Sequence, residues 1–285
     1  MIHPIPEHAL RAVIDMALAE DAPWGDITSE AFLPPNAIAD AELRAREPGV
    51  LAGATVVAAA MAACGAVDVI AHVEDGERFA SGTLLATVRG PARAVLRAER
   101  VALNLVQRMS GIATATAAYV DAVSGTRARI VDTRKTTPGL RALERYAVRC
   151  GGGFNHRTSL SDAVLAKDNH LAVLAANGVG IADAIRAARG QIGHTVHLEV
   201  EVDRIDQIEP VVGAGIDTIM LDNFTPDMLR EGVQIVAGRA LVEASGGVSL
   251  DTVRSIAETG VDLISVGALT HSARALDLGL DIAIA

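Results

Sequence analysis

Three short runs between residues 132 and 170 carry most of the side chains that could do chemistry. They read D-T-R-K-T-T-P-G-L-R at 132–141, G-G-G-F-N-H-R at 151–157 and A-K-D-N-H at 166–170. Arginine and lysine pair with carboxylates and phosphates, and glycine lets the backbone approach a ligand. The pattern therefore predicts a binding site for a small anion with several charges.

The charge distribution supports a local anion site. The chain has a formal net charge of −10, yet residues 127–157 hold eight Arg or Lys against only Asp132 and Glu144. This stretch carries +6, so the remaining residues carry −16. A basic concentration inside an acidic chain favours one small polyanion over general binding of nucleic acid.

Lysine is rare in this sequence. Of 25 basic residues only Lys135 and Lys167 are lysines, and both lie in the runs described above. An arginine bias of the genome explains lysine loss at surface positions, where either cation is suitable. The two that remain are expected where a compact ammonium on a flexible stem is needed.

Composition excludes several classes of protein. One Trp, two Tyr and four Phe are too few for a base-stacking surface, so no nucleic-acid partner is expected. The N-terminus shows no signal peptide, and apolar stretches such as 51–61 are far shorter than a membrane span. Cys64 and Cys150 have no metal-type spacing. The simplest expectation is a reduced, cytoplasmic enzyme without a membrane partner.

The first third of the chain has mixed α and β signals. Residues 6–20 and 54–64 predict helices, 39–51 predicts a strand, and 67–88 predicts short strands joined by turns. Two helices are expected next, one from Pro91 to about residue 108 and another over 112–123, with Gly111 between them.

From residue 130 onwards short apolar runs alternate with amphipathic segments. The six predicted strands are 130–131, 163–166, 196–202, 218–221, 240–242 and 263–266. Helices are predicted at 138–149, 181–189, 205–212, 226–237 and 250–259. Such alternation predicts parallel strands joined by crossover helices.

Polar residues follow each predicted strand where it ends. These are T-R-K, K-D-N-H, Glu201 with Asp203, L-D-N, E-A-S-G-G and V-G-A in chain order. The carboxyl ends of parallel strands carry the active site in a barrel and in an open sheet. A barrel fits better than an open sheet, because only a barrel makes six strand ends converge on one point.

The acids and glycines among these residues suggest a phosphorylated sugar. Glu199, Glu201 and Asp203 alternate on one strand face and, with Asp222, suit ribose hydroxyls, Mg²⁺ or a developing positive charge. An edge strand with one wet face is the alternative. The Ser245–Gly247 and Gly267–Ala268 turns each precede a predicted helix and could bind a phosphate through backbone N–H groups.

These motifs together resemble those of the quinolinate phosphoribosyltransferase family, nearly from end to end. The matching segments begin with G-D-I-T at 25, E-R-V-A-L-N at 99, S-G-I-A-T at 110 and T-R-K-T-T-P-G-L-R at 133. They continue with N-H-R, K-D-N-H, E-V-E-V-D, L-D-N-F, S-G-G and V-G-A-L-T-H. The chain departs from the family pattern at no functional position.

The resemblance implies an α/β fold: an N-terminal α/β sandwich domain followed by an open parallel α/β barrel of about six strands. The sandwich is expected at 1–111 and the barrel at 112–271, with a C-terminal helix over 272–285 packing back onto the sandwich. The implied reaction takes quinolinate and phosphoribosyl diphosphate to nicotinate mononucleotide, diphosphate and CO₂, with Mg²⁺, in NAD biosynthesis.

The resemblance also implies roles for individual residues. Lys135, Lys167, Glu201 and Asp222 would be catalytic, the two acids holding ribose hydroxyls or Mg²⁺, directly or through water. Quinolinate carboxylates would bind to Arg134, His156, Arg157 and Lys167. Phosphate groups would bind to Lys135 and to a 5′-phosphate cradle. The remaining substrate-binding positions are Arg100, Thr133, Ser245, Gly246, Gly247, Val266, Gly267, Ala268 and His271.

The implied assembly is a homodimer or homohexamer, with Arg100 reaching the partner subunit's site. Two other functions are compatible with the same fold. One is the paralogue found with molybdate-transport genes, which shares T-R-K but tends to lack the intact K-D-N-H present here. The other is a sugar-phosphate binding protein without catalysis, which would bind ligand without turnover.

Overall fold

The chain forms two compact units in a computed structural model that describes residues 2–283. The first unit comprises Met1–Ala117, Lys135–Gly153 and Leu269–Ala285, and the second comprises Ala118–Arg134 and Phe154–Ala268. The domain boundary predicted at residue 111 therefore falls close to, but not at, the first division of the chain.

Helices and strands alternate along the whole chain. The helices are α1 (Glu7–Asp21), α2 (Ile27–Phe32), α3 (Ala54–Cys64), α4 (Ala92–Ala122), α5 (Arg141–Cys150), α6 (Asp168–Ala176), α7 (Ile181–Gln191), α8 (Ile208–Val212), α9 (Pro226–Val236), α10 (Val253–Ala257) and α11 (Ala268–His271). The strands are β1 (Ile38–Ala45), β2 (Gly49–Val50), β3 (Asp68–Ala71), β4 (Arg78–Phe79), β5 (Leu84–Pro91), β6 (Arg129–Val131), β7 (Val164–Ala166), β8 (Leu198–Val202), β9 (Thr218–Asp222), β10 (Leu241–Ser245), β11 (Leu263–Ser265) and β12 (Leu278–Ala283).

The first unit is built on a four-stranded antiparallel sheet with strand order β12-β1-β5-β3. Every second residue of β1 is buried, from Ala39 to Ala45, because alternate side chains of a strand point to opposite faces. The small strands β2 and β4 pair separately. Helices α1 and α3 pack against each other, and α3 also packs against β3. This is the predicted N-terminal α/β layer structure.

Helix α4 is one continuous helix, so the predicted interruption at Gly111 is wrong. Glycine is needed there for packing and not to break the helix. A Cβ atom at Gly111 would lie 1.9 Å from the backbone oxygen of Arg274. The returning C-terminal segment passes so close to α4 that only a residue without a side chain fits.

The predicted C-terminal helix over 272–285 is also wrong, because Leu278–Ala283 form strand β12. It pairs antiparallel with β1, from Asp40 opposite Ala283 to Ala45 opposite Leu278. The L-G-L-D-I sequence alternates at period two, and Leu278 is 2% exposed, which favours a strand at the sheet edge. Residues 284 and 285 of the predicted helix lie outside the described residues.

Two short helices occupy stretches for which no helix was predicted. Asp26 caps α2, accepting a hydrogen bond from the Ser29 N–H at 3.1 Å. Helix α6 begins within the K-D-N-H run, at Asp168.

The second unit is a six-stranded parallel sheet with strand order β6-β11-β10-β9-β8-β7. The first two strands of this sheet in chain order, β6 and β7, are thus its two edges, and the sheet is open between them. Residues of β6, β8, β9, β10 and β11 line a single cavity, so the sheet curls around it. The predicted fold class, an α/β domain and an open parallel α/β barrel, is confirmed.

Strand β8 is buried at all five residues, including two glutamates. Crossover helices cover the outer face of a parallel sheet, which buries both faces of its strands. The alternative interpretation of this strand as an edge with one wet face is therefore wrong.

Within the described residues no single helix has the length and apolar composition needed to span a membrane; the bent pair α6 and α7 meets those two criteria together.

Candidate active site

The predicted functional residues of the second unit gather at the carboxyl ends of its strands. Parallel strands bring these ends to one edge of the barrel. Thr133 and Arg134 follow β6, Lys167 follows β7, Glu201 lies near the end of β8, Asp222 and Ser245 end β9 and β10, and Val266 and Gly267 follow β11.

Lys167, which follows β7, forms an ion pair with Glu201 of the adjacent strand β8. The Glu201 side chain is 10% exposed, whereas that of Lys167 is 43% exposed. The Lys167 backbone N–H donates to Nδ1 of His170 at 3.0 Å, which anchors the start of α6. The ammonium group thus neutralises a largely buried carboxylate while remaining open to solvent.

Asp222 lies where the carboxyl ends of the adjacent strands β9 and β10 contact each other. Nδ2 of Asn223 donates to Oδ2 of Asp222 at 2.7 Å, and the Asn223 N–H donates to the Ser245 oxygen at 2.8 Å. Gly246 has φ +91°, and a Cβ there would lie 2.1 Å from Oδ1 of Asn223. Glycine is therefore required at this position by both backbone conformation and space.

Glu201 and Asp222 line one cavity of about 600 Å³. Asp168 and Asp203 contribute two more acids to its wall, and Arg204 is the basic residue in it. The predicted acidic part of the site is therefore a concave surface rich in carboxylate oxygens.

The predicted phosphate-binding turns differ from each other in their surroundings. Gly267 directly precedes α11, which begins at Ala268. Gly247, with φ +60°, is followed by a turn, and α10 begins only at Val253. At 245–247 any anion would meet backbone N–H groups of a bend and not the start of a helix.

Arg134 and Arg157 come close enough to repel each other. Burial lowers the pKa of Arg157, and the charge of Arg134 lowers it further. Nη1 of Arg157 donates to the Ala163 oxygen at 3.1 Å. Two guanidinium groups held together in this way form a natural site for carboxylates or a phosphate.

Asp132 fixes the segment that carries His156 and Arg157. Its side chain is fully buried; Oδ1 accepts from the His156 N–H at 2.7 Å and Oδ2 from Nδ2 of Asn155 at 2.6 Å. Phe154 pairs with β6, donating to the Ile130 oxygen at 2.8 Å. Residues 154–156 thus run beside β6 at the open edge of the barrel.

His156 contacts two buried acids inside the barrel. Its Nε2 lies 3.0 Å from Oε2 of Glu199 and 3.6 Å from Oε1 of Glu243. Glu199 is 3% and Glu243 1% exposed. Burial and then the charge of Glu199 raise the pKa of Glu243 to about 8.

Sequence reasoning missed Asp132 and Glu243 as site residues. Glu243 lies two residues before Ser245, as Glu199 lies two before Glu201. Because alternate strand residues share a face, both acids point into the barrel one layer below the strand ends. The two-residue spacing from Glu201 and Ser245 is the sequence signal that could have identified both acids as inward-facing.

Three predicted site residues belong to the first unit or to α11. Arg100 is exposed on α4, Lys135 is exposed just after the division at residue 134, and His271 is exposed at the end of α11. The Lys135 backbone oxygen accepts a hydrogen bond from Oγ1 of Thr270 at 2.8 Å.

Arg108 and Glu144, which were not predicted, hold the loop after Lys135. Nε of Arg108 donates to Oε1 of Glu144 at 2.8 Å, and Oε2 of Glu144 accepts from the Thr137 N–H at 3.2 Å. Nη2 of Arg108 donates to Oγ1 of Thr137 at 2.8 Å and to the Thr270 oxygen at 3.0 Å.

The fold and the site define a class: an open parallel α/β barrel whose strand ends bind anionic ligands with guanidinium and ammonium groups beside carboxylates. The model of the quinolinate phosphoribosyl transferase N-terminal domain matches residues 26–110, and that of the C-terminal domain matches 112–281. The chain belongs to the quinolinate phosphoribosyl transferase family.

Full-length relatives agree with this assignment. The chain is 48% identical over 281 residues to the nicotinate-nucleotide pyrophosphorylase [carboxylating] of Mycobacterium leprae, covering 96% of this chain and 97% of the relative. It is 40% identical over 276 residues to a probable nicotinate-nucleotide pyrophosphorylase [carboxylating] of Bacillus subtilis, covering 96% and 94% of the two chains. The solved structure of the nicotinate-nucleotide pyrophosphorylase from Francisella tularensis superposes with a TM-score of 0.92 at 35% identity, covering 99% of both chains.

Proposed function

We propose that this protein is a quinolinate phosphoribosyltransferase of NAD biosynthesis. It transfers the phosphoribosyl group of phosphoribosyl diphosphate to quinolinate with loss of CO₂, giving nicotinate mononucleotide and diphosphate. The 48% identity over nearly the full chain to a carboxylating nicotinate-nucleotide pyrophosphorylase carries this proposal.

The cationic part of the second unit suits the two carboxylates of quinolinate. Arg134 and Arg157 supply two guanidinium groups close to each other, and Lys167 adds an ammonium group that is partly open to solvent. Thr133 lies beside them at the end of β6. Bidentate arginine contacts would orient the pyridine ring and strengthen its binding to the protein.

The acidic part suits the sugar. Glu201 and Asp222 line the same cavity and present carboxylate oxygens to ribose hydroxyls. The same oxygens suit Mg²⁺, which prefers a few carboxylates and completes its coordination with water and substrate phosphate oxygens. When bound, Mg²⁺ would stabilise the negative charge of the diphosphate leaving group.

The chain itself acts mainly through orientation and electrostatics. Carboxylates on one side of the ribose stabilise the positive charge that develops at C1 as diphosphate departs. The quinolinate nitrogen then attacks C1 and becomes positive, so it stabilises the electron pair that stays on C2 when CO₂ leaves. C2 then takes up a proton from solvent, which gives nicotinate mononucleotide. Each such contribution is typically worth several kcal/mol.

The substrate contacts of the remaining predicted residues stay predictions. The Ser245–Gly247 turn with Val266, Gly267 and Ala268 would hold the 5′-phosphate, with His271 nearby. Lys135 would bind phosphates of phosphoribosyl diphosphate. Substitution of each, with separate measurement of KM for the two substrates, tests these roles one by one.

A homodimer or larger assembly agrees with the exposed apolar surface of the first unit. Trp24 is 91%, Phe32 83% and Ile27 78% exposed. Exposed large apolar side chains near each other commonly mark protein interfaces. Arg100 is exposed as well, as a residue acting in a partner's site would have to be before assembly. The cytoplasmic location remains a prediction.

The two alternative functions are less well supported. The K-D-N-H run, which the molybdate-associated paralogue tends to lack, is intact, and Lys167 within it pairs with Glu201. The sugar-phosphate binding protein would share the barrel but not turn over quinolinate. The relatives described above carry the names of enzymes.

The decisive test follows the ultraviolet absorbance of quinolinate in the presence of phosphoribosyl diphosphate and Mg²⁺. Loss of quinolinate with formation of nicotinate mononucleotide and CO₂ in equal amounts is expected. Absence of any loss at high enzyme concentration would overturn the assignment and leave a binding protein.

Two variants test the residues. Lys167→Ala should abolish turnover while the far-ultraviolet spectrum is retained, whereas Arg230→Ala, which removes a half-exposed cation from the outer helix α9, should not. Arg100→Ala mixed with Lys167→Ala should recover part of the activity if Arg100 serves the partner's site. Parent-like turnover of Arg100→Ala alone would exclude that role.

A further inference from the structure

The open edge of the barrel between β6 and β7 is partly filled by residues 154–157. Phe154 pairs with β6, and the guanidinium of Arg129 lies 5.2 Å from the Phe154 ring centroid, a cation–π contact. The next residue but one, His156, sends its imidazole into the barrel, where Nε2 meets Glu199 of β8 and Glu243 of β10. The segment is therefore held from outside by β6 and from inside by two acids.

These two acids are costly to bury. Oε1 of Glu199 and Oε1 of Glu243 are buried and have no hydrogen-bond partner among the described residues. A buried carboxylate without full hydrogen bonding opposes folding unless a positive or donating group compensates it. Oε2 of Glu199 finds that compensation at Nε2 of His156, 3.0 Å away. The raised pKa of Glu243, caused by burial and then by Glu199, means that a proton further relieves the pair.

The other ring nitrogen of His156 identifies what the acids hold in place. Nδ1 accepts a hydrogen bond from the backbone N–H of Arg157 at 2.7 Å. A nitrogen that accepts in this way carries no proton, so the imidazole proton is on Nε2 and points at Glu199. Carboxylate, imidazole and backbone amide thus form one continuous chain of hydrogen bonds from β8 to Arg157.

We propose that Glu199 and Glu243 are positioning residues that hold the imidazole of His156 inside the barrel and thereby fix the backbone of Arg157 for binding the carboxylates of the substrate. This inference rests on the proposed function. It assigns His156 to the support of Arg157 and gives the two buried acids a role one layer below the substrate.

Charged groups from every neighbouring element bear on this chain of hydrogen bonds. The pKa of His156 is raised: burial is the largest single effect and lowers it, but the hydrogen bond to Glu199 and the charges of Glu243, Glu199 and Asp132 together outweigh burial. Lys167 after β7 acts on Glu243, and Glu199 acts on Arg157. The hydrogen bond from Arg157 opposes protonation of Nδ1, whereas the acid charges favour it. We assign the form with an unprotonated Nδ1, because a proton on Nδ1 would face the Arg157 N–H.

A divalent cation is the competing occupant of this cluster. His156, Glu199 and Glu243 each offer one atom, and these atoms all lie within 4.8 Å of one another. However, a neutral imidazole that binds metal through Nε2 must carry its proton on Nδ1. That position is used to accept the Arg157 N–H. The hydrogen-bonded arrangement and a metal site therefore require opposite tautomers.

The experiment combines substrate kinetics with the nitrogen spectrum of histidine in the full-length protein. Glu199→Leu should raise KM for quinolinate by about tenfold to a hundredfold, with kcat and KM for phosphoribosyl diphosphate changed by less than about threefold. Glu199→Gln, which keeps an acceptor oxygen, should have a smaller effect. Glu243→Gln, isosteric with a protonated carboxyl group, should likewise raise KM less than Glu243→Leu does.

Glu258→Gln is the matched control, since Glu258 is half exposed on a surface ion pair with Arg254 and should leave both KM values unchanged. In ¹⁵N-histidine spectra, the His156 signals, identified by their loss in His156→Gln, should show protonated Nε2 and unprotonated Nδ1. Glu199→Leu should disturb this tautomer.

Three outcomes would overturn the inference. They are a protonated Nδ1 in the parent, a shift of the His156 Nε2 signal on adding one equivalent of Zn²⁺, and equal effects of Glu199→Leu on the KM values of both substrates. The spectra do not depend on turnover. If the unsubstituted protein does not consume quinolinate, the proposed function is refuted, but the tautomer of His156 still tests the hydrogen bonds to Glu199 and Arg157.

Discussion

Replacing Arg108 by methionine should strongly destabilise the protein, because it leaves a buried carboxylate without its cation. The Glu144 side chain is 0% exposed, and that of Arg108 is 28% exposed. Nε and Nη2 of Arg108 both donate to Oε1 of Glu144, at 2.8 and 2.5 Å. After the substitution the Thr137 N–H remains as the described hydrogen-bond donor to Glu144, at 3.2 Å.

Removing one partner of a buried ion pair typically costs about 3–5 kcal/mol. Typical domains have a free energy of unfolding of about 5–15 kcal/mol, so this loss is a large share of the total. Glu144→Gln in the Arg108→Met background removes the uncompensated charge and should restore part of the loss. The resulting double-mutant cycle should give a coupling energy of about 1–3 kcal/mol.

Urea unfolding of the four proteins measures these quantities. The protein concentration must be the same throughout, because assembly contributes to apparent stability. The midpoint should fall while the m-value stays constant. As a control, Arg254→Met breaks a pair whose side chains are 50% and 52% exposed, and should cost less than about 1 kcal/mol. Arg108→Met within about 1 kcal/mol of the parent, or an additive cycle, would refute the importance of the buried pair.

Burial and then the charge of Glu199 raise the pKa of Glu243 from 4.5 to about 8. The protonated Glu243 therefore contributes fully to the free energy of unfolding below about pH 4.5, and this contribution is lost as pH rises through 8. Glu243→Gln should therefore lose less stability than the parent between pH 5 and about 9, and parallel pH profiles would contradict this. Asp162 accepts hydrogen bonds from the backbone N–H groups of Thr158 and Ser159 at 2.6 and 2.9 Å; although burial raises its pKa, these bonds lower it to about 2. Asp162→Ala should accelerate amide hydrogen exchange at both residues across pH 4–7, and unchanged exchange would show that the loop is held otherwise. Trp24→Glu should reduce the assembly to smaller species in light scattering if this 91% exposed side chain is covered by another subunit; an unchanged mass would place the interface elsewhere.

The alternating strands and helices could be predicted from the sequence because apolar periodicity is a local property of each segment. The helix predicted at 54–64 is α3 as observed, and each of the six predicted barrel strands overlaps an observed strand. Apolar periodicity reports which face of a segment is buried, and in a parallel α/β unit this also reports the order of elements. The open edge between β6 and β7, by contrast, depends on which strands pair and is not a local property.

The two wrong predictions in the first unit have tertiary causes. Gly111 looked like a helix break, since glycine lowers helix propensity, but it is needed for the close passage of the Arg274 backbone. The segment predicted as a terminal helix became β12 because β1 offered an unpaired edge to it. Neither neighbour is visible in the local sequence.

The gathering of the predicted site residues was easier to predict than the contacts among them. Polar residues at strand ends were expected to meet at one edge of the barrel, because parallel strands all end on the same side, and the structure brings those of the second unit together there. Asp132, Glu199 and Glu243 contribute through burial and through the partner that each one meets. Those properties follow from strand register and from the path of residues 154–157, so residue type alone could not reveal them.

The inside of the barrel links stability to the proposed binding function. Barrel interiors are usually filled by branched apolar side chains, which pack without any desolvation cost. Here Glu199 and Glu243 occupy inward positions with exposures of 3% and 1%, and two of their oxygens lack a hydrogen-bond partner among the described residues. Apolar residues at both positions would fill the same space at lower free-energy cost. What they could not do is hold the His156 imidazole, and through it the Arg157 backbone, beyond the bridge that pairs Phe154 with β6. If the proposed function is right, the cost of the buried acids is the physical consequence of holding a substrate-binding segment rigidly at the open edge of the sheet.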